Sequence, residues 1–311
     1  MILLLSACLT LDTMVHNPRH CSVVDTWTCE DVDSPWDQVC LPCEDEYDWS
    51  RDYDWFPETL AEGESIRPVA AELVHDHELP TSDGLGSLDI VVLDSHGDNP
   101  ATAGLTVLYN HGNYAGIEHY APRIRMLHEA GYRVVAWDYR GYGKSEPPSA
   151  PDGDQFLQDA SDVLDWTLDE LGVEQQRLVL YANSLGAIPA TEMSLLRPGC
   201  ATVLEVPFPG IRDTGRDANG LDMPGSFFTS GQFENTEKIR GYEGPLLVMV
   251  GELDDKFPVE TERAFVDNHP GPNEFVVVEE AHHGISNYGL PEVGYRAYAD
   301  TLQEFLEQHC E

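Results

Sequence analysis

Basic side chains are scarce in this chain. Its 311 residues include 17 lysines and arginines against 56 aspartates and glutamates, which gives a formal net charge of −39 at pH 7. The lysines are Lys144, Lys238 and Lys256. A surface with this charge repels the phosphates of nucleic acids and of anionic membranes. The composition therefore excludes both as partners, and it favours either a saline environment, where salt screens the self-repulsion, or cationic substrates.

Other signatures that would assign a function are also missing. The apolar stretch at residues 1–5 is too short to span a membrane. The glycine-rich loop at residues 141–145 lacks the G-x-x-x-x-G-K-[ST] spacing of a phosphate-binding loop, which argues against nucleotide binding by Arg140 and Lys144. Metal-ligand spacings are absent after residue 65, and the polar run at residues 75–78 fits a hairpin strand better. We therefore expect no cofactor and no metal ion.

What the chain does have is enough apolar sequence for one large core. It is 41% hydrophobic, and strand-like segments alternate with helix-like segments. This alternation predicts an α/β fold with a mostly parallel, doubly wound sheet. Residues 73–77 and 86–93 should open the sheet as an antiparallel hairpin around a turn at 81–84, and residues 155–171 should form an amphipathic helix. The segment 206–242, rich in proline, glycine and phenylalanine, should form a short cap.

The sequence Y-A-N-S-L-G-A at residues 181–187 is the strongest indication of chemistry. It follows the apolar run 178–180 directly and opens a helix-like segment. A serine hydroxyl is a weak nucleophile, and hydrolases display it on a sharp strand-to-helix turn that small neighbours permit. Ala182 and Gly186 are such neighbours of Ser184, although Ala182 departs from the usual G-x-S-x-G pattern. The alternative is a structural turn without chemistry.

Two further polar turns follow predicted strands in a matching order. One strand runs into Asp254 and Asp255, and the next runs into His282 and His283. Serine, acid and histidine in this order form the triad of one large class of hydrolases. Taken singly, each has a plainer interpretation, namely a solvated acidic turn or a loop histidine. From the residues alone, both acids and both histidines remain candidates.

Two small-residue turns precede the serine motif. H-G-N at residues 111–113 ends one predicted strand, and the glycine-rich loop D-Y-R-G-Y-G-K-S at residues 138–145 follows the next. A turn of the first kind can aim a backbone N–H at a developing oxyanion. His111 itself is better interpreted as a structural residue that hydrogen-bonds within its turn.

Taken together, these motifs resemble the α/β-hydrolase family. The resemblance covers about residues 66–309 and is carried by H-G-N at 111–113, the glycine-rich loop at 138–145, N-S-L-G at 183–186, G-E-L-D at 251–254 with Pro258, and A-H-H-G at 281–284. The similarity is to the branch of small membrane-associated esterases and acyl-protein thioesterases, with prolyl-aminopeptidase-like enzymes as more distant relatives. It implies the α/β-hydrolase fold with a short cap.

The resemblance also implies roles for individual residues. The family acid lies three residues after the glycine and four before the proline, which selects Asp254, and the family histidine directly precedes a glycine, which selects His283. Ser184 would attack an acyl carbonyl, His283 would remove the serine proton, and Asp254 would orient the imidazole. The backbone N–H groups of Asn113 and Leu185 would hold the oxyanion.

The expected activity is the hydrolysis of small carboxylic esters or thioesters. The cap segment carries several large apolar side chains, but it is too short to build a long acyl tunnel. These side chains are Phe208, Met223, Phe227, Phe228 and Phe233. We therefore expect a preference for acyl chains of about four to eight carbons. Each further CH₂ should raise activity only while it contacts apolar side chains of the site.

Two other functions remain as alternatives. A serine exopeptidase of the prolyl-aminopeptidase-like type would need acidic cap residues for the substrate's α-amine. Glu234 and Glu237 lie in the cap, and we interpret both as solvated helix-face charges. A non-catalytic surface-binding protein could use the same fold.

The N-terminal part differs in composition from the predicted hydrolase domain at 66–311. Residues 1–8 resemble a lipoprotein-type signal, in which L-S-A-C at 5–8 would place a lipid anchor on Cys8. The positively charged start of such a signal is missing, which a start codon further upstream would explain; the alternative is an apolar strand. Residues 9–65 form an acidic, cysteine-containing extension that should pack on the domain. We predict a location in the bacterial cell envelope, lipid-anchored or secreted.

Besides Cys8 the chain has an even number of cysteines, which favours disulfides in an oxidising compartment, with fifteen possible connectivities. These cysteines are Cys21, Cys29, Cys40, Cys43, Cys200 and Cys310. The alternative is a zinc site at Cys40 and Cys43 with Cys21, Cys29 and His20 nearby, although the spacing is not that of a regular zinc knuckle.

Overall fold

The computed structural model describes residues 66–310, except 103, 115, 213, 215–229 and 284–294, together with residues 16, 18, 20, 21 and 49. Within this part of the chain an eight-stranded sheet has the order β1-β2-β4-β3-β5-β6-β7-β8. Its strands are β1 (Val74–Pro80), β2 (Ser87–Leu93), β3 (Thr106–Asn110), β4 (Arg133–Trp137), β5 (Leu178–Asn183), β6 (Ala201–Glu205), β7 (Leu246–Gly251) and β8 (Asn273–Val278). Much of the predicted cap lies outside the described residues, as does Cys8.

The sheet begins with antiparallel strands and continues with parallel ones. β2 is antiparallel to β1 and to β4, and every other neighbouring pair is parallel. The register sets Val74 opposite Leu93 and Pro80 opposite Ser87, so the chain reverses at the predicted turn, where Gly84 has a φ of 70°. The N-terminal hairpin and the mostly parallel sheet are therefore confirmed.

Helices cover both faces of the sheet. They are α1 (Ile117–Glu129), α2 (Gly153–Asp165), α3 (Ala187–Leu196), α4 (Asn235–Lys238), α5 (Val259–Asn268) and α6 (Tyr295–His309). Successive residues of a strand point to opposite faces. Val107 and Tyr109 of β3 accordingly pack with α1 and α6, whereas Leu108 packs with α2 and α3. This is the doubly wound arrangement that the alternating sequence predicts.

Helix α2 shows how the local sequence specifies an element. The Asp152 side chain accepts a hydrogen bond from the backbone N–H of Gln155, whose own side chain accepts one from the Asp152 backbone. This capping box satisfies donors at the helix start that have no partner within the helix. Phe156, Ala160 and Val163 lie on the buried face. The amphipathic helix predicted for residues 155–171 is confirmed as far as Asp165, and Trp166–Glu170 continue it as a π-helical turn.

Some positions of the N-terminal extension pack against the sheet domain. The carbonyl oxygen of Trp49 accepts a hydrogen bond of 3.2 Å from the backbone N–H of Val69, and the indole is buried on the α1 and α6 face. His16 and His20 are also buried, and Gly143 forms an isolated bridge with His20. The predicted boundary at residue 65 stays a prediction.

A disulfide joins Cys200, just before β6, to Cys310 at the end of α6, with Cα atoms 5.1 Å apart. Because it closes a loop of 110 residues, its expected contribution to the free energy of unfolding is about 5 kcal/mol in the chain-entropy model. Cys21 is also disulfide-bonded, which removes it as a zinc ligand. Cys29, Cys40 and Cys43 lie outside the described residues.

No helix in the described part of the chain has the length and apolar character needed to cross a bilayer.

Candidate active site

The turn after β5 presents Ser184. β5 ends at Asn183, Ser184 has a φ of 49°, and a short 3-10 turn leads into α3. A positive φ is strained for a residue other than glycine and is typical of the serine turn in hydrolases. The turn is also tight, because a Cβ on Gly186 would lie 2.1 Å from the carbonyl oxygen of Asn110. Sterics therefore require glycine at 186, whereas the Ala182 methyl packs in the core.

Three side chains form a hydrogen-bonded chain where β5, β7 and β8 end. Ser184 Oγ lies 3.0 Å from His283 Nε2, and His283 Nδ1 lies 2.7 Å from Asp254 Oδ2. Asp254 Oδ1 accepts hydrogen bonds from the backbone N–H groups of Lys256 (2.8 Å) and Phe257 (2.9 Å). Since a carboxylate only accepts, Nδ1 of His283 carries the proton and Nε2 is free to accept from the serine hydroxyl.

The structure separates the candidates that the sequence alone left open. Asp254 is buried and contacts His283, whereas Asp255 is exposed. At the histidine pair, it is His283 that places Nε2 against Ser184. The residues selected by resemblance are thus the ones that this geometry brings together.

Backbone contacts hold the acid turn against the histidine turn. The Leu253 N–H donates to the carbonyl of Ala281 (2.8 Å), and the Glu252 N–H donates to the carbonyl of Val278 (2.9 Å). A Cβ on Gly251 would lie 2.5 Å from the Ala281 carbonyl oxygen. Only glycine therefore permits this close approach. In the sequence Gly251 served only as a landmark for the acid, although a glycine at a strand end before an acidic turn signals such packing.

The turn after β3 lies directly against the serine turn. The close approach of Gly186 to Asn110 brings the two turns together, with Leu185 on one and Asn113 on the other. The Asn113 side chain is anchored, because its Oδ1 accepts a hydrogen bond of 2.6 Å from the Tyr142 hydroxyl. The structure thus places the two predicted oxyanion residues on facing turns, with Leu185 directly after Ser184.

His111 has the structural setting expected for it. Its ring is stacked between those of Tyr139 (3.9 Å between centroids) and Tyr120 (5.3 Å), and its Nδ1 lies 2.7 Å from the Gly112 carbonyl oxygen. The Tyr139 hydroxyl donates to the His111 carbonyl oxygen at 2.6 Å. Burial lowers the pKa of His111 to about 3, so the ring is neutral at ordinary pH.

The glycine-rich loop at 138–145 carries buried charges that are paired with other parts of the domain. Asp138 accepts a hydrogen bond of 2.7 Å from the backbone N–H of Ile117 at the start of α1, where a negative charge is favourable. Arg140 makes two hydrogen bonds of 2.7 Å to Asp159 and a third of 2.7 Å to Asp83. Arg140 thus has a structural role, which the sequence did not show.

One expectation about the cap is wrong. Glu237 is exposed and pairs with Arg212 at 2.8 Å, as a solvated charge would. Glu234, in contrast, is buried, and both of its carboxylate oxygens lie 3.3 Å from the backbone nitrogen of Arg212. A carboxylate that caps a neighbouring turn is withdrawn from solvent, and a helix-face pattern does not reveal this.

Aromatic side chains border the triad. The Phe257 ring meets the His283 ring edge to face at 4.9 Å, and Phe208 lies 5.8 Å from Phe257. The backbone N–H of Phe208 donates to the carbonyl of Ser184 at 2.9 Å, which ties the start of the cap segment to the serine turn. Phe233 is fully buried. The cap residues Met223, Phe227 and Phe228 lie outside the described part.

Known proteins resemble this chain in sequence and in fold. The family model described as serine aminopeptidase, S33 matches residues 102–235. An uncharacterized protein of Mycobacterium tuberculosis is 28% identical over 206 residues, which cover 66% of this chain and 71% of that protein. Lysophosphatidylserine lipase ABHD12 of Macaca fascicularis is 30% identical over 190 residues, or 53% of this chain; the chain spans 46% of that relative.

Among solved structures, the Pyrococcus furiosus esterase PF2001 matches with a TM-score of 0.60 at 22% identity, over 76% of this chain and 92% of the esterase. At this level of identity the likeness concerns the fold. The chain therefore has the α/β-hydrolase fold, as the ordered motifs predict.

Proposed function

We propose that this protein is a serine hydrolase that cleaves small carboxylic esters or thioesters through an acyl-enzyme on Ser184. The observation that carries the proposal is the hydrogen-bonded chain from Ser184 through His283 to Asp254 on the α/β-hydrolase fold. An esterase and a lipase among the similar proteins support it.

Each side chain of the triad has one task. The Ser184 hydroxyl attacks the acyl carbonyl while His283 Nε2 accepts its proton, and the resulting imidazolium then protonates the leaving alcohol or thiol. Asp254 holds the Nδ1 proton and stabilises the imidazolium charge. A water molecule, deprotonated by the same Nε2, attacks the acyl-enzyme, and the proton returns to Ser184 as the acid leaves.

The negative charge of the tetrahedral intermediate needs donors that are already in place. We assign this role to the backbone N–H groups of Asn113 and Leu185, which lie on the two turns that meet at Gly186. Because these donors belong to the backbone, side-chain changes act on them only through the positions of the turns.

A serine exopeptidase is the second candidate, favoured by the description of the matching family. Such an enzyme needs a carboxylate for the substrate's α-amine, but Glu234 is engaged by the backbone of Arg212. Alanine methyl ester and its N-acetyl form differ only at this amine. At an ionic strength of about 0.5 M, which screens the acidic surface, we expect an esterase to hydrolyse the acetylated ester at least as well. A strong preference for the free amine would favour the exopeptidase.

The acyl group of the preferred substrate should be short or medium in length. Phe208 and Phe257 supply apolar wall beside His283. We expect kcat/KM on nitrophenyl esters to rise with acyl length and to peak at about four to eight carbons, since each buried CH₂ contributes about 0.8 kcal/mol. A steady rise through palmitate would instead indicate a long-chain lipase or thioesterase.

We also propose a location in the bacterial cell envelope. The L-S-A-C motif at residues 5–8 and the disulfide between Cys200 and Cys310 support it, because disulfides persist outside the reducing cytosol. Expressed with its native leader, the protein should fractionate with membranes and carry acyl groups on Cys8 by mass spectrometry. An unmodified chain that begins at Met1 and has reduced cysteines would contradict this location.

A further inference from the structure

Tyr142 is the side chain that anchors Asn113. Its hydroxyl donates a hydrogen bond of 2.6 Å to Asn113 Oδ1. The two residues belong to different turns, one following β3 and the other following β4. This bond therefore links the glycine-rich loop to the turn that carries the proposed oxyanion donor.

The Tyr142 ring is itself held in place from within the domain. It is fully buried and lies 5.5 Å from the rings of both Tyr139 and His111. Its backbone N–H donates to the Tyr139 carbonyl at 2.9 Å, and its carbonyl accepts from the Ser145 N–H at 3.0 Å. A ring confined in this way gives its hydroxyl little freedom, so the position of Asn113 depends on the packing around Tyr142.

The N-terminal extension supplies the outer part of that packing. The His16 ring meets the rings of Phe156 (4.7 Å), Phe233 (6.2 Å) and Tyr142 (6.3 Å) edge to face. Neither ring nitrogen of His16 has a hydrogen-bond partner among the described residues. Burial lowers the pKa of His16 to about 4, so the ring is uncharged at neutral pH and packs against its neighbours as an apolar group would.

The extension also contacts the loop directly beside Tyr142. The backbone N–H of Cys21 donates to the carbonyl of Gly143 at 2.8 Å, and Nε2 of His20 lies 3.5 Å from a carboxylate oxygen of Glu146. A Cβ on Gly143 would lie 1.8 Å from an oxygen of Asp138, so the loop is tightly packed on its inner side as well. The extension thus packs against the outer side of the glycine-rich loop, and Asp138 packs against its inner side.

We propose that Tyr142 is a positioning residue for the oxyanion donor Asn113, and that His16 of the N-terminal extension holds the Tyr142 ring for this task. The inference rests on the proposed serine-hydrolase function and adds a role to the extension. On this proposal the extension helps to set the position of the Asn113 backbone N–H.

The first test is Tyr142→Phe, which removes the hydroxyl and keeps the ring. We expect kcat to fall about 10-fold with KM within about twofold, because the oxyanion develops only in the transition state. A trifluoromethyl ketone forms a tetrahedral adduct on the serine that places an oxyanion between the same donors. Its affinity should fall by the same factor as kcat/KM, which a loss of stability alone would not produce.

The matched control is Tyr242→Phe, which also deletes a buried tyrosine hydroxyl, here one that donates to the carbonyl of Pro245 at 3.1 Å. This variant should keep the wild-type kcat and ketone affinity. Should Tyr142→Phe fail to fold, Asn113→Ala removes the same hydrogen bond from the other side and keeps the backbone N–H. The same loss of kcat and of ketone affinity is then expected.

The role of His16 is tested by a double-mutant cycle. His16→Ala should lower kcat several-fold in the wild type but by less than about twofold in the Tyr142→Phe background, because its effect passes through that hydroxyl. His16→Phe, which keeps a ring, should retain near wild-type kcat. Equal effects of His16→Ala in both backgrounds would overturn the link between His16 and Tyr142.

Labelling of Ser184 by a fluorophosphonate separates this proposal from the proposed function. A wild-type protein that is not labelled would refute the serine hydrolase itself. A labelled and active enzyme in which Tyr142→Phe leaves kcat and ketone affinity unchanged would overturn only the positioning role.

Discussion

The two halves of the proposed site are built differently. The oxyanion half consists of the turn after β3 and the loop at 138–145, and its side chains Asp138, Tyr139 and Tyr142 have no measurable exposure. The acid–base half consists of the turns after β7 and β8. It lies at the edge of the sheet, where β8 pairs only with β7 and has half-buried and exposed residues along most of its length.

This difference follows from what each half has to do. Backbone donors stabilise an oxyanion only if they are held in position before the reaction, and dense packing achieves this. His283 must instead exchange protons with Ser184, with the leaving group and with water. An edge position serves that need, and a few hydrogen bonds orient the ring. Changes in the oxyanion half should therefore act through geometry and stability, whereas changes in the acid–base half should matter at the residues that handle protons.

The largest effects are expected at the proton-handling residues. Ser184→Ala and His283→Ala should each lower kcat by about 10⁴ to 10⁶, because the triad acts as a unit. His282→Ala, the neighbouring control, should lose less than about 10-fold. Steady-state kinetics on a nitrophenyl ester measure all three. An inactive 282 variant beside an active 283 variant would show that the histidine has been assigned to the wrong position.

The acid should follow the same rule. Asp254→Asn keeps the shape but removes the charge that orients and stabilises the imidazolium, and kcat should fall by about 10³ to 10⁴. Asp255→Asn is the matched control, because Asp255 is the exposed neighbour in the same turn. It should stay within about twofold of wild type. Equal losses at the two positions would contradict the role of Asp254.

The free energy of unfolding should depend strongly on the buried charges that hold the oxyanion half, and only weakly on exposed charges of the acid–base half. Asp159→Ala leaves Arg140 buried without the partner that makes two of its hydrogen bonds, and the free energy of unfolding should fall by about 3 to 5 kcal/mol. In the acid–base half, Glu252 accepts a hydrogen bond of 3.0 Å from the backbone of Glu280 at an exposed site. Glu252→Ala, which makes the same kind of truncation at this exposed site, should lower stability by less than about 1 kcal/mol. Urea unfolding would measure the free energy of unfolding of both variants. Similar decreases in the two would contradict the difference between the halves.

The last expected effect appears only as the pH changes, and it concerns a residue packed near the acid turn. Glu262 of α5 is a buried carboxyl beneath the acid turn, and burial together with the charge of Asp254 raises its pKa. The folded state therefore keeps a proton that the unfolded chain releases, so Glu262 reduces stability as pH rises above the ordinary carboxyl range. Glu262→Gln cannot ionise, and its stability advantage over wild type should grow with pH by at most about 1.4 kcal/mol per unit.

Thermal unfolding from about pH 5 to about pH 8 would measure this trend. Glu260→Gln, on the exposed side of the same helix, is the control and should show no growing advantage. A pH-independent difference at position 262 would mean that Glu262 does not stay protonated in the folded protein.

The sequence could propose residues for the triad because their signals are local. A strand, a small-residue turn and a helix in succession identify Ser184 within a few residues. The choice between Asp254 and Asp255 required the resemblance, because both occupy one turn and no periodicity separates them. The structure agrees with that choice through the bond to His283.

The packing around the site could not be predicted in the same way. The hydrogen bond from Tyr142 to Asn113 joins residues 29 apart in the chain, and hydrophobic periodicity carries no information about such a pair. Glu234 shows the opposite error, since an acidic residue beside a helix suggests solvent exposure, yet its carboxylate lies against the backbone of Arg212. Tertiary contact, rather than local propensity, decides both cases.

The most direct test of the central claim is covalent labelling of the native protein with a fluorophosphonate, followed by peptide mass spectrometry. The hydrogen-bonded chain from Ser184 to Asp254 predicts one adduct, on Ser184, that disappears in Ser184→Ala and forms far more slowly in His283→Ala. A wild-type protein that remains unlabelled, or that is labelled on another residue, would contradict the account.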